Sequence, residues 1–376
     1  MNQNKLRGNA VAENTKIEWC NHTFNAWRGC EQVSPACDNC YAMRMARRNP
    51  KLLGKWGSLE QGGTRILASP EQWKTLKRWN DRAEKKGVRE LVFVNSISDV
   101  FEDWQGPMHF GNGRDVNRCE YCDNLVEGDE SPCCNRTTVM ATMQDVRQLL
   151  WSHIGYCENL TFLLLTKLPQ NIWRMVPAWW NHGWPQNVWM GTTVENQEQR
   201  DARLPYLDEL RREAGLRVAF ASCAPLLEDV VFRGMQDRKS YNWLGEGGIN
   251  WVIAGGESGP GARPSHPEWF RSLRDQCQSA EVPFFFKEWG EFHTRSVLDG
   301  EPVFRAFRSH QHWINKAPTW VQGGVCLDAV GNTCRNGKDF KSAVFPVTIM
   351  DKVGKKTAGR LLDGREWNEF PPKDEG

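Results

Sequence analysis

Three cysteines near the N-terminus have the types and spacing to hold one metal centre. They are Cys30, Cys37 and Cys40, so a Cys-x-x-Cys pair follows a third thiol by a short loop. Structural zinc sites and simple electron-transfer clusters usually take four protein ligands. Three thiolates on a four-iron cluster would instead leave one iron open to a small molecule. The spacing therefore favours a catalytic [4Fe-4S] cluster.

Two other interpretations of these thiols remain open. Zinc could recruit His22 or Cys20 as a fourth ligand. A dithiol redox site would need a thioredoxin-like context and would leave Cys30 without a role. The flanking residues favour the cluster, because residues 41–48 have the pattern of a short helix and residues 19–27 that of a strand leading into the loop.

Continuous apolar runs alternate with helical stretches along most of the chain. Strands are predicted at residues 91–95, 162–166, 188–193, 217–222, 251–256 and 283–287, and helices at 143–157, 195–214 and 267–280. Apolar strands separated by helices predict a parallel sheet covered by helices. We therefore expect an α/β fold, with an incomplete β/α barrel in residues 1–290 and a C-terminal extension in residues 291–376.

Polar residues follow the predicted strands, and barrels place their chemistry at these carboxyl ends. The candidates for a ligand site are Asn95, Ser96, Ser98, Asp99, Lys167, Thr192, Thr193, Glu195, Gly255, Gly256, Glu257, Arg263, Lys287 and Glu288. Ser98, Asp99 or Thr193 could instead only cap the next helix. The Gly255-Gly256 pair lacks the spacing of a dinucleotide fingerprint or a P-loop. We interpret it as a close approach of the backbone to a ligand.

Several short phrases identify a resemblance that spans nearly the whole chain. They are Trp27-Arg28-Gly29-Cys30, Cys40-Tyr41-Ala42, Asn95-Ser96-Ile97-Ser98-Asp99, residues 254–260, residues 285–290 and residues 359–367. The chain resembles the radical S-adenosylmethionine (SAM) superfamily and, within it, a phage- and bacteria-associated family of unknown function (DUF5131-like). One feature departs from the superfamily: six residues separate the first two cysteines, where three are usual.

The resemblance implies both a fold and a reaction. The fold is a radical SAM barrel of the (β/α)6 type, and Cys30, Cys37 and Cys40 would hold the [4Fe-4S] cluster. That cluster would cleave SAM to a 5′-deoxyadenosyl radical, which abstracts hydrogen from substrate. The loop at residues 95–99 would hold the amino group of SAM. A reducing partner such as flavodoxin or ferredoxin is implied as well.

The expected substrate is a nucleobase or modified nucleotide in phage-type DNA or RNA hypermodification, changed by isomerisation, cleavage or group transfer. Aromatic residues beside cations could stack on bases and contact phosphates: Trp27-Arg28, Trp173-Arg174, Trp179-Trp180, His312-Trp313, Lys352, Lys355, Lys356 and Arg360. The tryptophans could equally be core residues. The alternative function is a zinc-stapled nucleic-acid-binding protein without catalysis.

A second group of cysteines lies in a polar insertion at about residues 105–140. Cys119, Cys122, Cys133 and Cys134 could hold structural zinc, because a polar loop of this size cannot bury a core of its own. An auxiliary iron–sulfur cluster is the alternative. The adjacent pair is awkward for either, so one of the two could ligate with His109 completing the set. Cys326 and Cys334 form a looser pair, for which a structural role is favoured.

Composition is that of a soluble enzyme. The chain has 376 residues, a net charge of +2 and 13 cysteines. Residues 1–14 are polar, and no apolar run is long enough to span a bilayer. We therefore expect a cytoplasmic protein (in the host cytoplasm if phage-encoded) with no membrane partner, whose clustered cysteines bind metal rather than form disulfides. A near-neutral charge neither requires nor excludes a nucleic-acid partner.

Overall fold

The fold is mixed α/β and divides into two compact units. A computed structural model describes residues 11–372 apart from 130, 133, 237–238, 246, 295–296, 299–300, 303 and 322. The first unit comprises Met1–Thr192 with Glu209–Arg217, and the second comprises Thr193–Asp208 with Val218–Gly376.

The first unit is built on a parallel sheet. Its strands are β1 (Val11–Ala12), β2 (His22–Phe24), β3 (Trp27–Arg28), β4 (Arg65–Leu67), β5 (Glu90–Val94), β6 (Met108–His109), β7 (Asn117–Cys119), β8 (Leu125–Val126), β9 (Thr138–Met140), β10 (Leu160–Thr166) and β11 (Val188–Thr193). Strands β2, β5, β10 and β11 are parallel neighbours in that order, and β1 pairs antiparallel with β2. Because helices and loops bury the sheet, these strands are apolar runs rather than alternating patterns.

Two of the first unit's helices begin at reciprocal capping boxes. The helices of this unit are α1 (Tyr41–Arg48), α2 (Pro50–Leu53), α3 (Pro70–Lys86), α4 (Met143–Tyr156) and α5 (Ile172–Met175), and α6 (Gln197–Ala214) runs across the division between the units. Ser69 and Gln72 form a reciprocal capping box before α3, and Thr142 and Asp145 form one before α4. Among the described residues, no helix combines the length and apolarity needed to cross a membrane.

The second unit contains a parallel ladder and an antiparallel sheet. Its strands are β12 (Ala219–Cys223), β13 (Arg233–Gln236), β14 (Lys239–Asn242), β15 (Trp251–Gly255), β16 (Phe284–Glu288), β17 (Phe292–His293), β18 (Val297–Leu298), β19 (Glu301–Pro302), β20 (Ala306–Phe307), β21 (Val325–Leu327) and β22 (Val347–Lys352). Its helices are α7 (Pro267–Ser279), α8 (His310–Trp320), α9 (Gly337–Ser342) and α10 (Lys355–Ala358). Strands β12, β15 and β16 are parallel, whereas β17, β20 and β21 pair antiparallel with β22.

Most predicted elements are confirmed to within a few residues. The six predicted strands from residue 91 onward correspond to β5, β10, β11, β12, β15 and β16, and the three predicted helices to α4, α6 and α7. The single strand expected at residues 19–27 is instead two short strands. The chain changes partner at Asn25 and Ala26, because β2 pairs with β5 whereas β3 pairs antiparallel with β4.

The expected polar insertion forms a small sheet of its own. Strand β7 lies between β8 and β9, with Asn117 opposite both Val126 and Met140. We call residues 117–140 the ribbon. The mixed α/β class is thus observed, while closure into a (β/α)6 barrel and the separate extension after residue 290 stay predictions.

Candidate metal centres

Cys30 is positioned by strand β3, which directly precedes it, and by the neighbouring strand β4. Trp27 and Arg28 pair with β4, and the N–H of Gly57 donates to the Cys30 carbonyl at 2.9 Å. Gly29, between Arg28 and Cys30, has φ +102°, and a Cβ there would lie 2.3 Å from the Thr64 carbonyl oxygen. Only glycine allows this close approach. The Trp-Arg-Gly-Cys phrase therefore sets the position of the first thiol.

Cys37 and Cys40 lie where the loop turns into α1. Cys37 ends a short 3-10 turn, Pro35–Cys37, and the Cys40 N–H donates to the Cys37 carbonyl at 3.1 Å. Cys40 is the residue that immediately precedes the first turn of α1, and its carbonyl accepts from Arg44. The predicted helix at residues 41–48 is confirmed.

The loop after β5 is hydrogen-bonded to the segment that leads to Cys30. The Asn25 side-chain oxygen accepts from the Ile97 N–H at 3.1 Å and from the Ser96 hydroxyl at 3.3 Å. In return, the Asn95 side-chain oxygen accepts from the Ala26 N–H at 2.8 Å. The two asparagines thus bind each other's loops. This reciprocal pairing holds residues 95–99 beside the cysteine loop.

Two hydroxyl groups complete this connection. The Ser98 hydroxyl donates to the Trp27 carbonyl at 2.8 Å, and the Tyr41 hydroxyl donates to the Ser96 carbonyl at 2.7 Å. Tyr41 follows Cys40 directly, so the third thiol and the loop after β5 are joined by one side chain. Ser98 serves this connection rather than capping a helix.

Both carboxylate oxygens of Asp99 accept hydrogen bonds from other groups of the protein. One carboxylate oxygen accepts from the Thr166 hydroxyl at 2.6 Å and from the Phe101 N–H at 3.0 Å, and the other accepts from the Lys167 N–H at 2.8 Å. Asp99 therefore joins the carboxyl ends of β5 and β10. Thr192 acts similarly at the next strand, since its hydroxyl donates to the Thr166 carbonyl at 2.8 Å.

The side-chain amide of Asn95 is a buried donor without a hydrogen-bond partner in the described structure. Its side chain is 98% buried (2% exposed), and its backbone adopts φ +55°. The side-chain oxygen is used by Ala26, but the Nδ2 amide has no hydrogen-bond partner within the described structure. Buried donors without a partner are rare. Asn95 is accordingly the member of the 95–99 loop best suited to bind a ligand.

The environment of Cys30 keeps its thiol protonated. Burial raises its pKa well above the ordinary value, and the carboxylates of Glu102 and Asp99 act in the same direction. The cations of Arg65 and Lys167 oppose this effect without overcoming it. A thiol of this kind is a poor free nucleophile. It becomes a thiolate only when a metal replaces its proton.

A buried ion pair lies beside this cysteine, and sequence reasoning missed it. Arg65 contacts Glu102 at 2.7 Å, with side-chain exposures of 0% and 3%. Glu102 also accepts from the Trp27 indole at 2.9 Å, and Arg65 stacks on Trp104 at 4.1 Å. The only sequence signal was an arginine at the start of the segment Arg65–Leu67, directly before two apolar residues.

An open cavity of about 480 Å³ adjoins the cysteine loop. Glu31 and Gln32 line it from the loop, Arg47 lines it from α1, and Lys55 and Trp56 line it from the segment that follows α2. Its wall combines both signs of charge with an aromatic ring. A polar molecule of moderate size fits such a wall.

In the second unit, Glu195 and Thr193 each have a buried polar atom without a hydrogen-bond partner in the described structure. Glu195 is fully buried, and one carboxylate oxygen accepts from Arg203 at 2.7 Å, while Oε1 has no partner in the described structure. The Thr193 hydroxyl is likewise buried and without a partner there. Arg203 also donates to the Thr193 carbonyl at 2.8 Å.

The Gly255-Gly256-Glu257 segment has a structural explanation within the second unit. A Cβ on Gly256 would lie 2.0 Å from the Trp289 carbonyl oxygen, so glycine is needed for β15 and the residues after β16 to meet. The Glu257 carboxylate accepts from the Arg263 backbone at 2.8 Å and from its guanidinium at 2.6 Å. These residues make contacts that need no ligand, and their binding of SAM stays a prediction.

The remaining predicted pair, Lys287 and Glu288, is part of a charge cluster. Glu288 is 6% exposed and contacts Lys355 at 2.5 Å and Lys287 at 3.4 Å. Ser258 donates to the same carboxylate at 3.2 Å. Although burial opposes ionisation, the two lysines outweigh it and lower the pKa of Glu288. Glu288 is therefore a carboxylate at neutral pH.

The ribbon brings three of its four predicted thiols together. Sγ atoms of Cys119, Cys122 and Cys134 all lie within 4.8 Å of one another, so this group could hold a metal ion and is compatible with zinc. Cys134 lies 3.4 Å from Cys119 and 3.8 Å from Cys122. Cys133 lies outside the described residues. His109 is not in the group and instead contacts Asp115 at 2.9 Å.

Cys119 is an acidic thiol, unlike Cys30. Burial opposes its ionisation, but the backbone N–H groups of Cys122 and Tyr121 and the thiols of Cys134 and Cys122 outweigh that effect and lower the pKa of Cys119 to about 6. Two N–H donors aimed at one sulfur stabilise the thiolate before any metal binds.

The C-terminal cysteines are core residues. Cys326 and Cys334 lie in one apolar cluster with Phe307, Phe340 and Ile349. Burial raises the pKa of each thiol to about 11. A structural role for this pair is therefore favoured, as expected.

Comparison with known proteins identifies the family of the chain but not its activity. The sequence model of one family, described as protein of unknown function (DUF5131), matches residues 14–109 and 138–371. Residues 110–137, which include most of the ribbon, lie outside that match. Comparison with curated proteins and with solved structures found no match. Since the matched residues make up well over half of the chain, the protein belongs to this family of unknown function.

Proposed function

We propose that this protein is a radical SAM enzyme with a [4Fe-4S] cluster on Cys30, Cys37 and Cys40. The observation that carries the proposal is the position of these thiols. The thiols follow β2, the first parallel strand, in the chain. The segment between β2 and Cys30 is hydrogen-bonded to the loop after the parallel strand β5. Carboxyl ends of parallel strands are where β/α folds place cofactors.

A cluster rather than a single ion is proposed for these three thiols. Among the described residues, the group whose ligand atoms all lie within 4.8 Å contains the ribbon thiols and not these three. Thiolates on a four-iron cluster bind different irons and so lie further apart than thiolates on one zinc.

Residues of the 95–99 loop are proposed to hold SAM. Asn95 offers its Nδ2 donor, which suits the carboxylate of SAM. Asp99, whose oxygens already accept three hydrogen bonds, is proposed to orient the loop. The second-unit residues Thr193, Glu195 and Gly255–Glu257 stay predictions as SAM ligands. Their spare or buried polar atoms are the reason to test them.

The bound cluster would supply one electron to SAM, giving methionine and the 5′-deoxyadenosyl radical. The electron must come from a protein reductant of the flavodoxin or ferredoxin class. The protein's own residues would bind SAM, exclude water and present the substrate carbon that gives up hydrogen. We keep a nucleobase in DNA or RNA as the proposed substrate class.

The aromatic residues give this substrate class limited support. Trp27 and Trp180 are fully buried and belong to the core, so neither is free to stack on a base. Trp179 is 58% exposed, and Lys352, Lys355 and Lys356 are exposed near the C-terminus. A salt series of gel shifts with single-stranded DNA, duplex DNA and RNA tests the proposal. Binding that weakens with salt supports it, and absence of binding at low salt with SAM cleavage stimulated by free nucleosides refutes it.

The cluster is tested by anaerobic reconstitution of the full chain with iron and sulfide. We expect about four irons per chain, a brown chromophore and reductive formation of 5′-deoxyadenosine. Replacing Cys30, Cys37 and Cys40 with alanine should abolish all three. Cys20→Ala is the matched control, because Cys20 is a buried thiol of the same unit whose sulfur contacts backbone groups of Ile17 and Phe93.

Retention of iron and SAM cleavage in the triple variant would refute the proposal. Loss of both in Cys20→Ala would point to general destabilisation instead. Asn95→Ala should keep the iron but bind SAM about tenfold more weakly, since one hydrogen bond to a charged group is worth roughly 1.5 kcal/mol or more. Unchanged SAM affinity would remove Asn95 from the binding site.

A zinc-stapled nucleic-acid-binding protein without catalysis is the second candidate. The observation that favours it is the group of ribbon thiols, Cys119, Cys122 and Cys134, which could hold a metal ion. The same metal analysis separates the two candidates. Zinc without iron after anaerobic reconstitution would support the binding protein.

A further inference from the structure

We propose that the ribbon holds a tetrahedral zinc ion with three cysteines and one serine, in which Ser131 rather than Cys133 is the fourth ligand. The inference does not depend on the proposed radical chemistry. It rests on two backbone turns of the same form that face each other across the thiol group.

The first turn is a zinc knuckle built on Cys119 and Cys122. The Cys119 N–H donates to the Asn124 carbonyl at 3.0 Å, and the Asp123 N–H donates to the Cys119 carbonyl at 3.1 Å. Asp123 follows the second cysteine and has φ +56°. The backbone N–H groups of Tyr121 and Cys122 donate to the Cys119 sulfur. This backbone conformation presents the first and fourth residues of the turn to one metal.

The second turn repeats these contacts twelve residues later, with Ser131 in the place of Cys119. The Ser131 N–H donates to the Arg136 carbonyl at 2.9 Å, and the Asn135 N–H donates to the Ser131 carbonyl at 2.8 Å. Asn135 has φ +49°, as its equivalent Asp123 has φ +56°. Cys134 is the equivalent of Cys122, and its thiol lies within the metal-ready group.

Distances across the group agree with one tetrahedral ion. Zinc–sulfur bonds of 2.3 Å at tetrahedral angles place two sulfurs about 3.8 Å apart, and a sulfur and an oxygen about 3.6 Å apart. The sulfur of Cys134 lies 3.4 and 3.8 Å from its two neighbours. The Ser131 hydroxyl lies 3.7 Å from the Cys122 sulfur, and the Ser131 side chain is fully buried. The Ser131–Cys122 distance agrees with a hydroxyl oxygen at the fourth corner.

The register of the two turns argues against Cys133. Cys133 lies outside the described residues, but in sequence it stands two positions after Ser131, as Tyr121 stands two positions after Cys119, and Tyr121 is 74% exposed. An auxiliary iron–sulfur cluster is also disfavoured, because its thiolates bind separate irons and would not all lie within 4.8 Å of one another.

Zinc X-ray absorption on the full-length protein as purified tests the ligand set, since the zinc edge is not affected by iron. We expect about one zinc per chain with three sulfurs and one oxygen in the first shell. Ser131→Cys should change the shell to four sulfurs and bind zinc on the order of tenfold more tightly in competition with a chelator. Cys133→Ser is the matched control and should leave three sulfurs and the same affinity.

Four sulfurs in the wild-type protein that fall to three in Cys133→Ser would overturn the proposal. So would a Ser131→Cys variant that still has three sulfurs, or protein that binds no zinc. Ser131→Ala should keep three sulfurs, with water as the oxygen ligand and faster zinc loss. Ser131→Cys adds a sulfur ligand rather than removing one. A misfolded variant would therefore not show four sulfurs around zinc and tighter zinc binding.

Discussion

The two cysteine groups of the first unit differ in what holds them. The N-terminal thiols are positioned by core strands, by the paired asparagines Asn25 and Asn95, and by a buried ion pair. The ribbon thiols are positioned by their own backbone turns. The result is opposite acidity: burial raises the pKa of Cys30, whereas N–H donors lower that of Cys119 to about 6.

This difference teaches how one residue type can serve two kinds of site. A thiol ionised by its own turn is ready for a metal that staples a small sheet lacking a core. A thiol held protonated by the core would ionise only if a metal displaced its proton, so the proposed cluster would depend on residues of the sheet itself. The first arrangement suits a structural ion and the second a reactive cofactor.

The largest expected effect comes from breaking the ion pair that supports the N-terminal group. Glu102→Ala leaves Arg65 buried without its carboxylate and should cost about 3–5 kcal/mol. The matched change in the ribbon is Glu127→Ala, whose partner Arg114 is 73% exposed, and it should cost less than about 1 kcal/mol. Denaturant unfolding of metal-free protein measures both. Equal losses would show that the Glu102 pair is not desolvated as described.

A smaller effect is expected from two glycines with similar backbone angles. Gly29 has φ +102°, and an added Cβ would meet the Thr64 carbonyl oxygen at 2.3 Å. Gly128 in the ribbon has φ +88°, and its Cβ would meet nothing within 4 Å. Gly128→Ala should cost about 1–2 kcal/mol from the backbone angle alone. Gly29→Ala should cost roughly 2–4 kcal/mol, because the clash is added.

Iron content gives the glycine comparison a second readout. Gly29 precedes Cys30, so Gly29→Ala should also lower the iron retained after reconstitution, whereas Gly128→Ala should not. If both variants lose the same stability and keep the same iron, the close approach at Thr64 does not set the position of the first thiol.

Periodicity and apolar runs sufficed for the central strands, because β5, β10, β11 and β15 are almost entirely buried and are therefore mainly apolar. The break after β2 could not be predicted in this way. It depends on Asn25 finding the backbone of Ile97, which is a contact between residues 72 positions apart. The same holds for Arg65 and Glu102, which become partners only when the fold brings them together.

The candidate sites were predictable in composition but not in arrangement. Cys-x-x-Cys at residues 119–122 indicated a metal site, and three of its four predicted thiols do meet. The serine of the second turn carried no signal, since Ser131 is recognised only by hydrogen bonds that repeat those of Cys119. Gly256 was expected to approach a ligand, yet the Trp289 carbonyl already requires a glycine there.

The smallest expected effect is a pH-dependent one that compares the two thiols directly. In metal-free protein, thiolate absorbance in the far ultraviolet should show a step with a midpoint at about pH 6 from Cys119. Cys119→Ser should remove that step and Cys30→Ser should not, because the Cys30 thiol stays protonated at neutral pH.

The signs for stability are opposite. The lowered pKa of Cys119 contributes stability that is complete above its ordinary value of 9.0 and is lost as the pH falls towards 6. The raised pKa of Cys30 contributes stability that is complete below 9.0 and is lost as the pH rises through its folded value. A step at pH 6 that persists in Cys119→Ser would mean that the backbone N–H groups of its turn do not stabilise the thiolate.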